Sequence, residues 1–235
     1  RKLQGTYPVI FLSFANIKEA DFQSTRKKIC QLISELYSRY DFLLDAVQCK
    51  DGDRDYFYRV NPQMDDVDAS MSVHYLAKMM CQYYGKKVII LLDEYDTPLQ
   101  EAYIQGYWEK LVSFTRSLFN STFKTNPYLE RGIMTGITRV SKESIFSDLN
   151  NLEVVTTTSE KYATSFGFTE PEVFDALDEY GYSDRKEEVR SWYDGFTFGN
   201  HTDIYNPWSI LNFLNKGKIA TYWANTSSNS LVEKL

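Results

Sequence analysis

Val88-Ile89-Ile90-Leu91-Leu92-Asp93-Glu94 is the stretch on which the fold turns. Its aliphatic run shows no alternation and ends in two adjacent carboxylates. Such a run predicts a central strand of a parallel sheet, covered on both faces. Gly85 just upstream marks the end of a helix, and Thr97-Pro98 downstream read as the cap and first position of the next one.

The same alternation of elements extends in both directions. Val9 to Phe14 reads as a short buried strand. Asp21 can cap an amphipathic helix near 21–40, with Ile29, Leu32, Ile33, Leu36, Tyr37 and Tyr40 at helical spacing. The Asp-rich stretch from Cys49 to Asp68 reads as a loop with room for a short strand. A helix is predicted over 70–84, with its Met residues as core filler, and another over 106–123. Gly132 to Ile137 and Leu152 to Val155 read as two further strands. Strands alternating with helices predict a parallel α/β sheet.

Beyond about residue 158 the texture changes. Thr169-Glu170-Pro171-Glu172 is a capping box opening a helix to about Tyr180. Helices near 184–193 and 208–215 follow, separated by Gly195, Gly199 and the Asn206-Pro207 turn. This predicts a small, mostly helical second domain.

Composition removes several function classes. The net charge of −6 disfavours a nucleic-acid footprint, which needs clustered Lys and Arg. Cys30, Cys49 and Cys81 match no zinc or redox spacing, and His74 and His201 stand far from any second ligand motif. The cysteine pattern fits a reducing cytoplasm. No apolar run reaches the roughly 20 residues of a membrane span. Aromatics at 16% argue against disorder, since rings usually fill cores and line interfaces.

Carboxylates at the carboxyl end of a parallel strand lie where open α/β sheets bind ligands. Asp93 would hold Mg²⁺, through water, and Glu94 would orient or deprotonate an attacking water. This is the Walker B pattern. The alternative is that the pair merely caps a loop, and Asp96 reads better as support for the turn before Pro98. Thr135-Gly136-Ile137-Thr138-Arg139 follows a predicted strand. There Thr138 and Arg139 could sense a γ-phosphate, or Arg139 could pair with a surface carboxylate. No G-x-x-x-x-G-K-[ST] occurs anywhere, so nothing in the chain cradles phosphates by backbone N–H groups. The chain opens at Arg1 rather than Met, and a segment is expected upstream.

Tyr7-Pro8-Val9-Ile10, Leu92 to Leu99, Gly136 to Ser147, Leu149 to Leu152, Phe166 to Glu170, Trp192 to Phe196 and Tyr205 to Ser209 together make the chain similar to one known group. It resembles the AAA-ATPase-like family of bacterial proteins, in the STAND-like branch of P-loop NTPases. The resemblance implies an ATPase core using ATP and Mg²⁺, with its Walker B at Asp93-Glu94 and a sensor-type Arg139. It also implies a helical lid with a winged-helix-like region. The first strand and phosphate loop of such proteins precede the Tyr-Pro-Val-Ile strand, and a PD-(D/E)XK nuclease-like domain often follows further on. The expectation is therefore an α/β chain in two parts. Residues 1–158 form an N-terminally truncated P-loop NTPase-type core, and 159–235 a helical lid and winged-helix-like region.

Three functions are weighed on these residues. The first is a cytoplasmic ATP-binding and hydrolysing switch, inactive by itself without the phosphate loop, with a protein partner or linked nuclease-like domain to act on. The second is a binding or scaffold module that has lost catalysis. The third, a nuclease built from this chain's own carboxylates, is disfavoured because Asp93-Glu94-Tyr95-Asp96 supplies no Lys. Trp192, Tyr193 and Trp208 read as core aromatics and Asp194-Gly195 as a turn, while Lys142 and Glu143 could reach the nucleotide or form an exposed ion pair.

Overall fold

A computed structural model describes residues 4–137, 149 and 152–223. The chain divides into two compact units, Arg1–Leu152 and Glu153–Leu235.

In the first unit three strands form a parallel sheet in the order β1-β2-β3. They are β1 (Val9–Ser13), β2 (Val88–Asp93) and β3 (Leu129–Met134). Between β1 and β2 run α1 (Phe22–Ser38), a 3-10 turn (Asp41–Asp45), α2 (Asp51–Arg59) and α3 (Asp66–Tyr84). Between β2 and β3 run α4 (Thr97–Gln105), α5 (Trp108–Phe119) and a π turn (Asn120–Lys124).

Local chemistry explains the helix limits. Asp21 caps α1 by accepting from the Ser24 N–H at 2.9 Å, and that bond holds its carboxyl below the usual range. One stripe of α1, with Ile29, Cys30, Ile33, Leu36 and Tyr37, is buried. Asp65 caps α3 in the same way, and Gly85 ends it in the left-handed region at φ 64°.

The segment expected as a loop over 49–68 is instead mostly helical. Its acidic residues sit in first turns, where carboxylates favour a helix: Asp51 and Asp53 in α2, Asp66 and Asp68 in α3. Helix α2 buries Asp53, Tyr56 and Phe57 on one side. Tyr56 stacks on Tyr75 of α3 at 3.9 Å, and Lys78 of α3 pairs with Asp53 at 2.5 Å.

The sheet also departs from expectation. Val88, Ile90 and Leu92 are buried together with Ile10 and Leu12, beneath a helical layer that includes α1, α3 and α5. Burying each such aliphatic side chain contributes about 1.5–3 kcal/mol. Among the described residues no element covers the opposite face: Ile89 and Leu91 are half-exposed, and Val9, Phe11 and Ile133 are 39%, 52% and 47% exposed. Among the described residues β2 therefore has one buried face and one half-exposed face. Residues 135–137 lie beyond β3, and 152–155 form no strand; Leu152, Val154 and Val155 are exposed.

The second unit contains β4 (Phe168–Thr169), α6 (Glu170–Glu179), α7 (Lys186–Tyr193), β5 (Asp194–Phe198), β6 (His201–Tyr205) and α8 (Pro207–Lys216). The capping box at α6 is present, with the Thr169 N–H donating to Glu172 Oε2 at 2.8 Å. Asn206 caps α8 by accepting from the Ser209 N–H. Beside its helices the unit holds strands that the helical reading does not include. A three-stranded antiparallel sheet in the order β4-β6-β5 includes a hairpin turning at Gly199-Asn200. Asp194-Gly195 begins β5 and is not a turn. Tyr193 is buried as expected, whereas Trp192 and Trp208 are exposed, against their reading as core residues. The core holds Val173, Leu177, Val189, Tyr205, Ile210 and Phe213.

Arg190 grips Glu170 through Nη2 to Oε1 at 2.6 Å and Nε to Oε2 at 2.8 Å, and the Tyr205 hydroxyl donates to Oε2 at 2.9 Å. The Arg190 guanidinium, then the Tyr205 hydroxyl, hold the Glu170 carboxyl below the usual carboxylate range. A carboxyl lowered in the folded state contributes stability above its unfolded value and loses it as pH falls through the folded value. The melting temperature of this unit should therefore drop as pH falls below about 4.5, where unfolded Glu begins to protonate. Glu170→Gln should flatten that acid limb in circular-dichroism melts. Asp194, raised by burial and by Asp203 beside it, contributes with the opposite sign, so Glu170→Gln is the informative variant.

Candidate nucleotide and metal site

The carboxyl ends of the three parallel strands meet at Asp93. Ser13 stands opposite Asp93 in the register, and Met134 opposite Leu92, which brings Thr135 alongside. Ser13 Oγ donates to Asp93 Oδ2 at 3.1 Å, and Thr135 Oγ1 donates to Asp93 Oδ1 at 2.7 Å. Each carboxylate oxygen is thus held by a hydroxyl from a neighbouring chain segment, and each keeps further acceptor capacity. Main-chain bonds fix Thr135 itself: its N–H donates to the Leu92 carbonyl at 2.9 Å, and its carbonyl accepts from the Tyr95 N–H at 3.0 Å. Asp93 is two residues beyond Leu91, and Ser13 two beyond Phe11, so both carry on the wetted face of the sheet.

The Glu94 carboxylate is held elsewhere, while its main-chain N–H donates to Thr135 Oγ1 at 3.4 Å. The Glu94 φ of 49° is left-handed, a conformation that costs a non-glycine residue on the order of 1 kcal/mol. Its Oε2 accepts from Thr97 Oγ1 at 2.9 Å. Asp96 is fully buried and accepts from Gln100 Nε2 at 2.8 Å, which suits its reading as support for the start of α4. Gly136 packs directly on this turn: a Cβ there would lie 2.5 Å from Asp96 Oδ1 and 2.8 Å from the Tyr95 ring.

Of the predicted site residues, Asp93 and Glu94 stand at the strand end; Thr138 and Arg139 lie outside the described residues, as do Lys142 and Glu143. Sequence reasoning misses the roles of Ser13, Thr135 and Thr97. Ser13 is detectable as a polar residue within the Val9–Phe14 apolar run, and Thr135 as the first polar residue after a strand. Thr97 reads only as a cap.

Among the described residues, no group of three or more His, Cys, Asp or Glu side chains is arranged to hold a metal ion. Mg²⁺ does not require such a cage, because it keeps several waters and takes one or two carboxylates with phosphate oxygens. A half-exposed carboxylate oriented by hydroxyls on both sides fits that mode.

With this geometry in view, comparison with known proteins defines the class. Residues 1–146 match the family described as Predicted AAA-ATPase, and the chain belongs to that family. It is similar to an uncharacterized protein in the vnfD 5′ region of Azotobacter chroococcum mcd 1, at 29% identity over 154 residues. That match covers 64% of this chain and 29% of the relative's length. No solved structure matches the chain. No helix among the described residues is long and apolar enough to cross a membrane.

Proposed function

We propose that this chain is the Mg²⁺-side half of an ATP-binding and hydrolysing switch, completed by a phosphate-binding loop on a further segment. The observation that carries this reading is Asp93, oriented by Ser13 and Thr135 at the carboxyl ends of parallel strands. Asp93 holds the ion's hydration shell, Glu94 orients the attacking water, and Thr138 and Arg139 contact the γ-phosphate. Bound Mg²⁺ supplies charge neutralisation on the phosphate oxygens.

The phosphate cradle comes from outside these 235 residues, which contain no G-x-x-x-x-G-K-[ST]. The wetted apolar face supports its arrival there. A strand added in parallel ends at the same edge as Asp93, and the helix after it begins at that edge. Such a helix, laid on Phe11, Leu91 and Ile133, supplies the second cover that parallel sheets require. In the second unit, a strand, two helices and a hairpin follow one another, which supports a winged-helix-like lid. Free thiols at Cys30, Cys49 and Cys81 suit a cytoplasmic setting.

Exposed Trp192, Trp208 and Leu211, each more than half accessible, favour a second reading as a protein-binding module. Calorimetry with Mg²⁺-ATP separates the two. The expected result is no binding by this chain and binding by the protein extended upstream through a phosphate loop. Absence of binding in both leaves the binding module.

A further inference from the structure

Tyr40, Phe42, Tyr83 and Tyr84 come from three separate pieces of the first unit. Tyr40 follows the end of α1, Phe42 sits in the 3-10 turn, and Tyr83 and Tyr84 close α3. Their rings touch in a chain, with centroids 6.0 Å apart from Tyr40 to Phe42, 5.3 Å from Phe42 to Tyr83 and 4.9 Å from Tyr83 to Tyr84. Successive planes are inclined at 52°, 70° and 77°, so no ring is sandwiched face to face. Tyr84 also bears on Tyr40: after burial, its hydroxyl pushes the Tyr40 phenol up. Phe42, Tyr83 and Tyr84 are 36%, 44% and 46% exposed. The group lies at the amino ends of the strands, at the opposite edge from Asp93. There the Tyr40 hydroxyl donates to the Val9 carbonyl at 3.0 Å, at the start of β1.

Two features give this surface a sign. Helices α1 and α3, 17 and 19 residues long, both end here, and neither has a basic residue in its last turn. Each leaves about half a negative charge at its carboxyl end. Exposed Asp41 and Asp45 in the 3-10 turn stand beside them. Elsewhere in the unit, rings are covered by the protein's own cations: Arg26 over Phe114, Arg59 over Tyr56 and Lys78 over Tyr75. Lys86, close by, is turned to the Thr6 carbonyl and the Tyr7 ring. Among the described residues no cation, Arg39 and Lys87 at the rim included, lies over any of these four rings.

We propose that this aromatic group binds a quaternary ammonium ion, with Phe42, Tyr83 and Tyr84 around its methyl groups. Ring faces are electronegative and attract a weakly hydrated cation. An anionic ligand would meet the two helix ends with like charge.

Choline and its uncharged tert-butyl isostere are the probes, titrated into this chain and followed by NMR of the ring signals. Choline should bind about tenfold more tightly than the isostere and shift the signals of Phe42, Tyr83 and Tyr84. Tyr83→Leu, which keeps apolar surface and removes the ring, should weaken choline binding about threefold. Tyr58→Leu, at an exposed ring on α2, should leave it unchanged. Equal affinity for the two probes overturns the proposal and leaves a plain apolar patch. Tighter binding of N-acetylarginine amide than of choline also overturns it, in favour of a surface for a partner's arginine. The ring shifts are read in the wild-type chain, so choline shifts confined to other rings overturn it whatever the variants do.

Discussion

Asp93→Asn in the upstream-extended protein is expected to weaken Mg²⁺-ATP binding about 100-fold while leaving the fold intact. The substitution keeps the shape of the side chain and removes its charge. A hydrogen bond to a charged group contributes about 1.5–3 kcal/mol, and about 1.4 kcal/mol is a factor of ten. The fold tolerates the change because the partners are hydroxyls. Ser13 and Thr135 can donate or accept, so the new amide NH₂ finds an acceptor where the carboxylate oxygen found a donor. Calorimetry with and without Mg²⁺ distinguishes loss of the ion from loss of the nucleotide. Equal affinities for the wild-type and Asp93→Asn proteins would remove Asp93 from the site.

A large stability effect is expected at Gly136. A Cβ there meets Asp96 Oδ1 at 2.5 Å, Asp96 Cγ at 2.8 Å and Tyr95 Cε1 at 2.8 Å. Neither neighbour can yield easily, since Asp96 is 0% and Tyr95 9% exposed. Gly136→Val should therefore lower stability by about 3 kcal/mol, the upper range for overpacking a dense site. Gly52 is the matched control. It lies in helix α2, and a methyl group there would meet nothing within 4 Å. Gly52→Ala should accordingly be neutral or stabilise by up to about 1 kcal/mol. Urea unfolding midpoints of the two variants against wild type check both statements. A Gly136→Val protein as stable as wild type would mean that the turn after β3 does not press on the turn after β2.

What can be read in advance divides along physical lines. Local periodicity and capping are written in neighbouring residues, so β1, α1, β2 and the capping box of α6 are legible. Acidic stretches mislead, because Asp is both a loop residue and a favourable first-turn residue. Only burial of Tyr56 and Phe57 on one side decides for α2. The hairpin has a signal that the reading of a helical domain passes over: Phe196 and Phe198 alternate before Gly199-Asn200, a two-residue turn. The uncovered face of the sheet has no such signal, since an aliphatic run looks the same whether one side or two are covered. The same holds at the site. Asp93 and Glu94 are visible as a motif, but the division of their partners depends on a left-handed backbone at Glu94 that no residue type announces.

The hydroxyls that hold Asp93 lie 80 and 42 residues away along the chain. Neither contact can form by local folding; each waits for a whole crossover to close, the slow kind of step in a parallel sheet. A chain that has joined β2 to only one neighbour therefore carries an Asp93 with a single anchor. The orientation of this carboxylate is thus complete only when both neighbouring strands have docked on β2.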